Sequence, residues 1–251
     1  EDYGKTKLGF LKRFAPFKNG APSDDTLRRF FRALDPQEFR KRFIEWAESL
    51  GSVLGKVIAI DGKTARRSFD KQADMKPLHM VSAFVSEARI VLGQQKTDEK
   101  SNEITAIPEL LEWLDIRGAI VTIDAMGCQK AIAEKIIDKG GDYVFGLKGN
   151  QGNLNDDVRM FFEKPEGLKF FQDKDWGHGR AETRTCYVSD DVRWLIERNP
   201  GWKGLRTIVT IRLSGRACRM PPSGISRSSV AWCTKRGIRL SPSGRAASNT
   251  A

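Results

Sequence analysis

KVIAID at 56–61 and GAIVTID at 118–124 decide how this chain folds. Each is a short, unbroken apolar run, and each ends in an aspartate. A run of that kind predicts a strand buried on both faces, as in the middle of an α/β sheet. Aspartate is a poor strand residue and costly to bury. At the C-terminal ends of two strands, Asp61 and Asp124 reach the sheet edge where α/β proteins place ligands. A single strand-end aspartate is most often a loop or helix cap. Two of them within one strand order favour a site.

Outward from these runs the periodicity alternates. LHMVSAFVS (78–86) and ARIVLGQQKT (88–97) read as an antiparallel hairpin. NEITAIPELLEWLDI (102–116) is helical, with Pro108 tolerable near its start or as a kink. CQKAIAEKIIDKGG (128–141) is a helix closed by glycines, and DYVFGLKGN (142–150) is a third buried strand. GNLNDDVRMFFEK (152–164) is a further helix, with Asn153 or Asn155 as its cap. Three early strands followed by alternating helix and strand match an RNase H-like α/β topology, a mixed sheet flanked by helices.

Residues 1–52 read as a small helical module. Ser23 is placed to cap a helix that begins Asp24-Asp25 and carries Leu27, Phe30, Phe31 and Leu34 at helical spacing. Asp35-Pro36 ends it and opens a second helix. Residues 53–211 form the α/β domain, whose pattern loosens after about 165. There ETRTCYVS (182–189) and LRTIVTI (205–211) read as strands around a short helix in DDVRWLIER (190–198). Residues 212–251 lose all period. They hold seven Arg, one Lys and no acid, and Ser, Gly and Pro supply 15 of the 40 residues. That composition predicts a disordered basic tail, and it is also what out-of-frame translation of a GC-rich gene produces.

The net charge of +11 points toward a polyanion, but +8 of it belongs to that tail. Cys128, Cys186, Cys218 and Cys233 form no CxxC pair, and with only His79 and His178 beside them no zinc site is suggested. Unpaired, reduced thiols fit a cytoplasmic protein. No stretch reaches the roughly 18 apolar residues of a membrane span, so no membrane partner is expected.

Two carboxylates brought to one edge repel each other unless a divalent cation stands between them. Oxygen-only ligands favour Mg²⁺ or Mn²⁺. Such ions activate an attacking oxygen and stabilise a leaving one at a phosphodiester. Asp61 and Asp124 are therefore the candidate catalytic and metal-binding residues. Lys63, Arg66 and Arg67 follow the first of them, Lys148 follows the third strand, and Arg180 lies on a charged strand. All five are candidate DNA contacts, although solvated basic loops would read the same way. Gly62-Lys63-Thr64 looks like the end of a P-loop, but six residues separate Gly62 from Gly55, the nearest upstream glycine. Nucleotide binding is not expected.

APSDDTLRRFFRALDP, VIAIDGKTARRS, the run from LHMVSAFVS to AIPELL, the run from GAIVTID to GLKGNQ, and HGRAETRTCYVS together carry a resemblance. Over roughly residues 1–211 the chain resembles the H-repeat-associated insertion-sequence transposases of the DDE superfamily. The resemblance implies an RNase H-like catalytic domain behind a helical associated domain, acting on transposon ends and target DNA. It implies Mg²⁺-dependent strand cleavage and transfer, and it is compatible with a homo-oligomer. The family's first two acids fall on Asp61 and Asp124. Its third, a glutamate on a later helix in a His-Trp-x-Ile-Glu-Asn context, has no counterpart here, because the pattern stops after Ile211. Glu182 is the nearest replacement. The expectation is a transposase that has lost its activity. A DNA-binding remnant, or an unrelated RNase H-like nuclease, are the alternatives.

Overall fold

The structure is a computed structural model. It describes residues 2–51, 53, 55–65, 68, 77–97, 103–177, 180–217, 227–233, 239–240 and 246–247, with backbone alone at 176–177, at 180–181 and, among these, from 215 onward. The chain divides into two compact units, 1–45 and 46–251.

The first unit is helical. It contains α1 (Asp2–Thr6), α2 (Leu8–Leu11), α3 (Asp24–Ala33) and most of α4 (Pro36–Ser49). Ser23 caps α3 as expected, its hydroxyl accepting from the Thr26 N–H at 3.3 Å. Asp35 does the same for α4, accepting from the N–H groups of Gln37 at 2.7 Å and Glu38 at 3.2 Å. Pro36 opens that helix where no N–H is needed. α3 buries none of its residues, and Phe30 and Phe31 meet edge to face at 5.5 Å on an exposed surface.

The second unit is built on one sheet. In chain order its elements are β1 (Val57–Thr64), β2 (His79–Val85), β3 (Ile90–Thr97), α5 (Glu103–Trp113), β4 (Ile120–Ile123), α6 (Lys130–Asp138), β5 (Asp142–Leu147), α7 (Gly152–Phe161), β6 (Lys169–Gly177), β7 (Arg180–Ser189), α8 (Arg193–Arg198), β8 (Thr207–Ala217) and β9 (Arg227–Cys233). Two short strands, β10 (Arg239–Leu240) and β11 (Ala246–Ala247), pair with each other. The nine-stranded order is β3-β2-β1-β4-β5-β9-β8-β7-β6. β1, β4 and β5 run parallel and every other neighbour is antiparallel. This mixed sheet flanked by helices is the expected fold class.

Alternation along the parallel strands sorts the residues. Ile58 and Ile60 stand beside Val121 and Ile123, and these beside Tyr143 and Phe145, all on one face. All six are buried in the main core together with Leu110 and Leu111 of α5 and Ile132 and Ile136 of α6. Each such side chain contributes about 1.5–3 kcal/mol of burial. Pro108 sits in the second turn of α5 and forfeits a single ladder bond, which a helix held by so much apolar contact tolerates.

Three features differ from the sequence reading. α7 starts at Gly152 with no side-chain cap, and Asn155 is buried inside it, so neither Asn153 nor Asn155 caps it. β6 is an additional strand whose KFFQDKDWG sequence shows no buried period, because it lies at the sheet edge with Phe170 and Phe171 exposed. The organised chain also runs past Ile211. β8 continues to Ala217, and β9 lies between β5 and β8. The only signal for β9 is the apolar patch Val230-Ala231-Trp232 inside an Arg- and Ser-rich stretch, and long-range pairing decides its state. The rest of the basic tail, β10 and β11 aside, lies outside the described residues.

Among the described residues no helix is long and apolar enough to cross a membrane. Cys128 and Cys186 are buried free thiols; burial pushes Cys128 up to about 12, with the Asp124 charge adding to it, and Cys186 up to about 11. Both stay protonated and unreactive near neutrality. Iodoacetamide should label neither in the folded chain and both after denaturation, read by peptide mass spectrometry. Labelling of folded Cys128 at the denatured rate would contradict this packing.

Candidate metal and nucleic-acid site

The β1–β4 register ends at Ile60↔Ile123. Asp61 and Asp124 are each the next residue. The last paired position therefore brings their two places in the chain together, one residue beyond neighbours that lie roughly 5 Å apart at the ends of adjacent parallel strands. Asp61, next after the buried Ile60, lies on the face of β1 opposite the one that packs on α5 and α6. Both carboxylates are exposed, Asp61 with 59% of its side chain open. Asp124 Oδ1 also accepts from the Met126 N–H at 3.0 Å, which folds the loop back under its own carboxylate.

The third strand completes the edge. β4 pairs with β5 through Ile123↔Phe145, which brings Gly146 beside Asp124. A Cβ on Gly146 would press to 3.3 Å from the Ala125 nitrogen, so the bare glycine lets β5 lie close against the Asp124 loop. Lys148 follows two residues later in an extended conformation, on the same face and exposed. Asn150 Nδ2 donates to the Ala125 carbonyl at 2.7 Å and Gln151 Nε2 to the Cys128 carbonyl at 2.6 Å. These two amides tie the loop after β5 to the loop after β4.

The other expected contacts scatter. Lys63 shares the Asp61 face, its ammonium 3.5 Å from Asp61 Oδ2. Arg66 and Arg67 lie outside the described residues. Arg180 begins β7, four strand positions from β4, roughly 19 Å along the sheet. Glu182 is on that same strand and is paired with Arg184 at 2.8 Å. It stands too far from Asp61 and Asp124 to share a metal ion with them. Among the described residues no group of three or more His, Cys, Asp or Glu is gathered as a metal site. Two exposed carboxylates with a cation already beside one of them still suit Mg²⁺, which takes one or two protein carboxylates and keeps several waters.

Two family models match the chain. The model described as "Transposase DDE domain" matches residues 53–212, the segment that holds Asp61, Asp124, Lys148 and Arg180. This chain belongs to the DDE transposases. A second model, described as "DDE_Tnp_1-associated", matches residues 1–47 of the same transposase chain. It is 46% identical over 218 residues to a Xanthobacter autotrophicus protein encoded in the dhlA 3′ region, covering 84% of this chain and 72% of that one. It is 48% identical to the H repeat-associated putative transposase YhhI of Escherichia coli K12, covering 83% of this chain and 56% of the relative. For YbfD, another H repeat-associated putative transposase of that strain, identity is again 48%, with 78% and 80% covered. The transposase chain thus spans little more than half of YhhI. A solved piggyBac transposase synaptic complex with hairpin DNA overlaps 96% of this chain and 42% of its own, at a TM-score of 0.44 and 10% identity.

Sequence reasoning missed the residues around Asp61 and Asp124. Gly146, Asn150 and Gln151 act through packing and amide contacts that only the strand order reveals. His79 and Glu103 are both buried and bonded to each other across 24 positions of sequence. A lone histidine at the head of an apolar strand was their only trace.

Proposed function

We propose that this chain carries the two-aspartate part of a transposase site, that it binds DNA and Mg²⁺ or Mn²⁺ at that edge, and that it does not complete strand cleavage alone. What supports this is two exposed aspartates, each one residue beyond the last paired position of adjacent parallel strands, within a segment matching the DDE domain. Asp61 and Asp124 would hold the cation. When bound, such a cation neutralises phosphate charge and sharpens an attacking oxygen. The chain's own part is positional: Lys63 and Lys148 bring ammonium groups to phosphates flanking the acids, and the exposed edge admits a duplex. Arg180, four strands away, would touch a different part of the duplex. Glu182 cannot supply the third acid from β7, which is why cleavage is expected to fail.

A mobility-shift titration tests the DNA part. Retention at low salt should fall steeply by about 200 mM, and Lys63→Ala with Lys148→Ala should lower the salt slope by about 2. No retention at low salt would end the DNA reading. Incubation of transposon-end DNA with the chain and Mg²⁺ should yield no nicked product. A nick that disappears in Asp124→Asn would keep the site and overturn its incompleteness.

A further inference from the structure

Past Ile60, β1 has lost its partner on one side. The β4 ladder has ended, and among the described residues the strand partner of 61–64 is β2, through Asp61↔Ser82 to Thr64↔His79. Something else must fix the height of this overhanging end, and the face opposite Asp61 shows what does. His79, 3% exposed, and Glu103, 5% exposed, meet there at 2.7 Å between Nε2 and Oε1. Thr64 Oγ1 bonds the other ring nitrogen of His79 at 2.9 Å. One tautomer satisfies the whole chain: Thr64 donates to Nδ1, and Nε2–H donates to Glu103. Glu103 stands in the first turn of α5, where a carboxylate is favoured by the helix dipole.

The pair lies directly under Gly62. A Cβ there would come within 2.3 Å of Glu103 Oε1 and 2.9 Å of His79 Nε2. The residue next to Asp61 therefore rests on the imidazole–carboxylate pair with no side chain between. Buried polar pairs contribute little net stability compared with apolar groups of the same volume. What they supply is direction, since each hydrogen bond fixes the atoms at both ends.

We propose that His79 and Glu103 are positioning residues for Asp61, an anvil that ties the overhanging end of β1 to the start of α5 and sets the Asp61 carboxylate against Asp124. The inference rests on reading Asp61 and Asp124 as a cation-binding pair. Outer partners that orient metal ligands change affinity by about 10–100-fold when removed.

Titrating the full chain with Mn²⁺, free ion followed by electron paramagnetic resonance, tests it. Glu103→Leu should weaken binding about tenfold, and Gly62→Ala, which pushes the pair from above, should do likewise. Glu103→Gln, whose amide oxygen still accepts from His79, should stay near the parent. Circular dichroism reports whether each variant is folded. A folded Glu103→Leu chain that binds Mn²⁺ like the parent overturns the proposal; should that variant not fold, parent-like binding by Gly62→Ala overturns it instead. Asp61→Asn separates the two levels. If it binds no worse than the parent, the cation-pair reading falls and takes this one with it. If its binding is lost while Glu103→Leu matches the parent, only the positioning role falls.

Discussion

Replacing Asp61 and Asp124 together by asparagine should weaken Mn²⁺ binding by more than about 100-fold, since the two proposed ligand charges vanish where losing a mere outer partner already costs about 10–100-fold. The fold survives the change. Both side chains are exposed, and the asparagine oxygen at 124 still accepts from the Met126 N–H. The thermal midpoint in metal-free buffer should even rise slightly. Two carboxylates on neighbouring strands repel each other, by well under about 1 kcal/mol after screening by water and by Lys63. Weaker binding together with equal or higher stability is the signature of a site that works against the resting fold. Calorimetric Mn²⁺ titration and a melting curve read both. Undiminished binding in the double variant would mean that the cation sits elsewhere.

Phe145→Ala should be the most damaging single truncation in the core. Phe145 is fully buried, stacks on Tyr143 with ring centroids 4.4 Å apart, and occupies the middle of β5. Removing a buried aromatic ring costs about 3–5 kcal/mol, the transfer term plus the cavity left behind. The whole fold is worth only about 5–15 kcal/mol. The melting midpoint should therefore drop by about 6–20 °C. Phe170→Ala on the exposed face of β6 should move it by no more than a degree or two, the surface effect being within about 0.5 kcal/mol. A Phe145→Ala protein melting alongside the Phe170→Ala control would show that the β5 face is not the core.

The parallel half of the sheet was legible because its strands are buried on one face and at least half-buried on most of the other, and VIAID, IVTID and DYVFGL state that in apolar letters. Ser23 was legible because capping is local. The antiparallel half was harder to read. β6 keeps its aromatics outside, and β9 owes its state to the preceding strand β8 and to β5, far upstream. The site divides in the same way. Asp61 and Asp124 announced themselves by breaking an apolar run. The glycine, amides and histidine that hold them break nothing locally, and their roles exist only once helices and strands have met. Glu182 shows the converse: sequence order put it nearest to the missing acid, and strand order takes it roughly 19 Å away.

The insertion of β9 between β5 and β8 bears on how the molecule is made. No ladder joins β5 to β8 directly, so the two halves of the sheet are stitched by residues 227–233. As the polypeptide leaves the ribosome, β5 emerges with an open flank and must keep it while some eighty further residues are synthesised. Until that late strand arrives, β5 and β8 each lack the ladder partner they have in the finished sheet. The interval is a window for chaperones and for self-association, and closing the last seam is the step that makes the molecule whole.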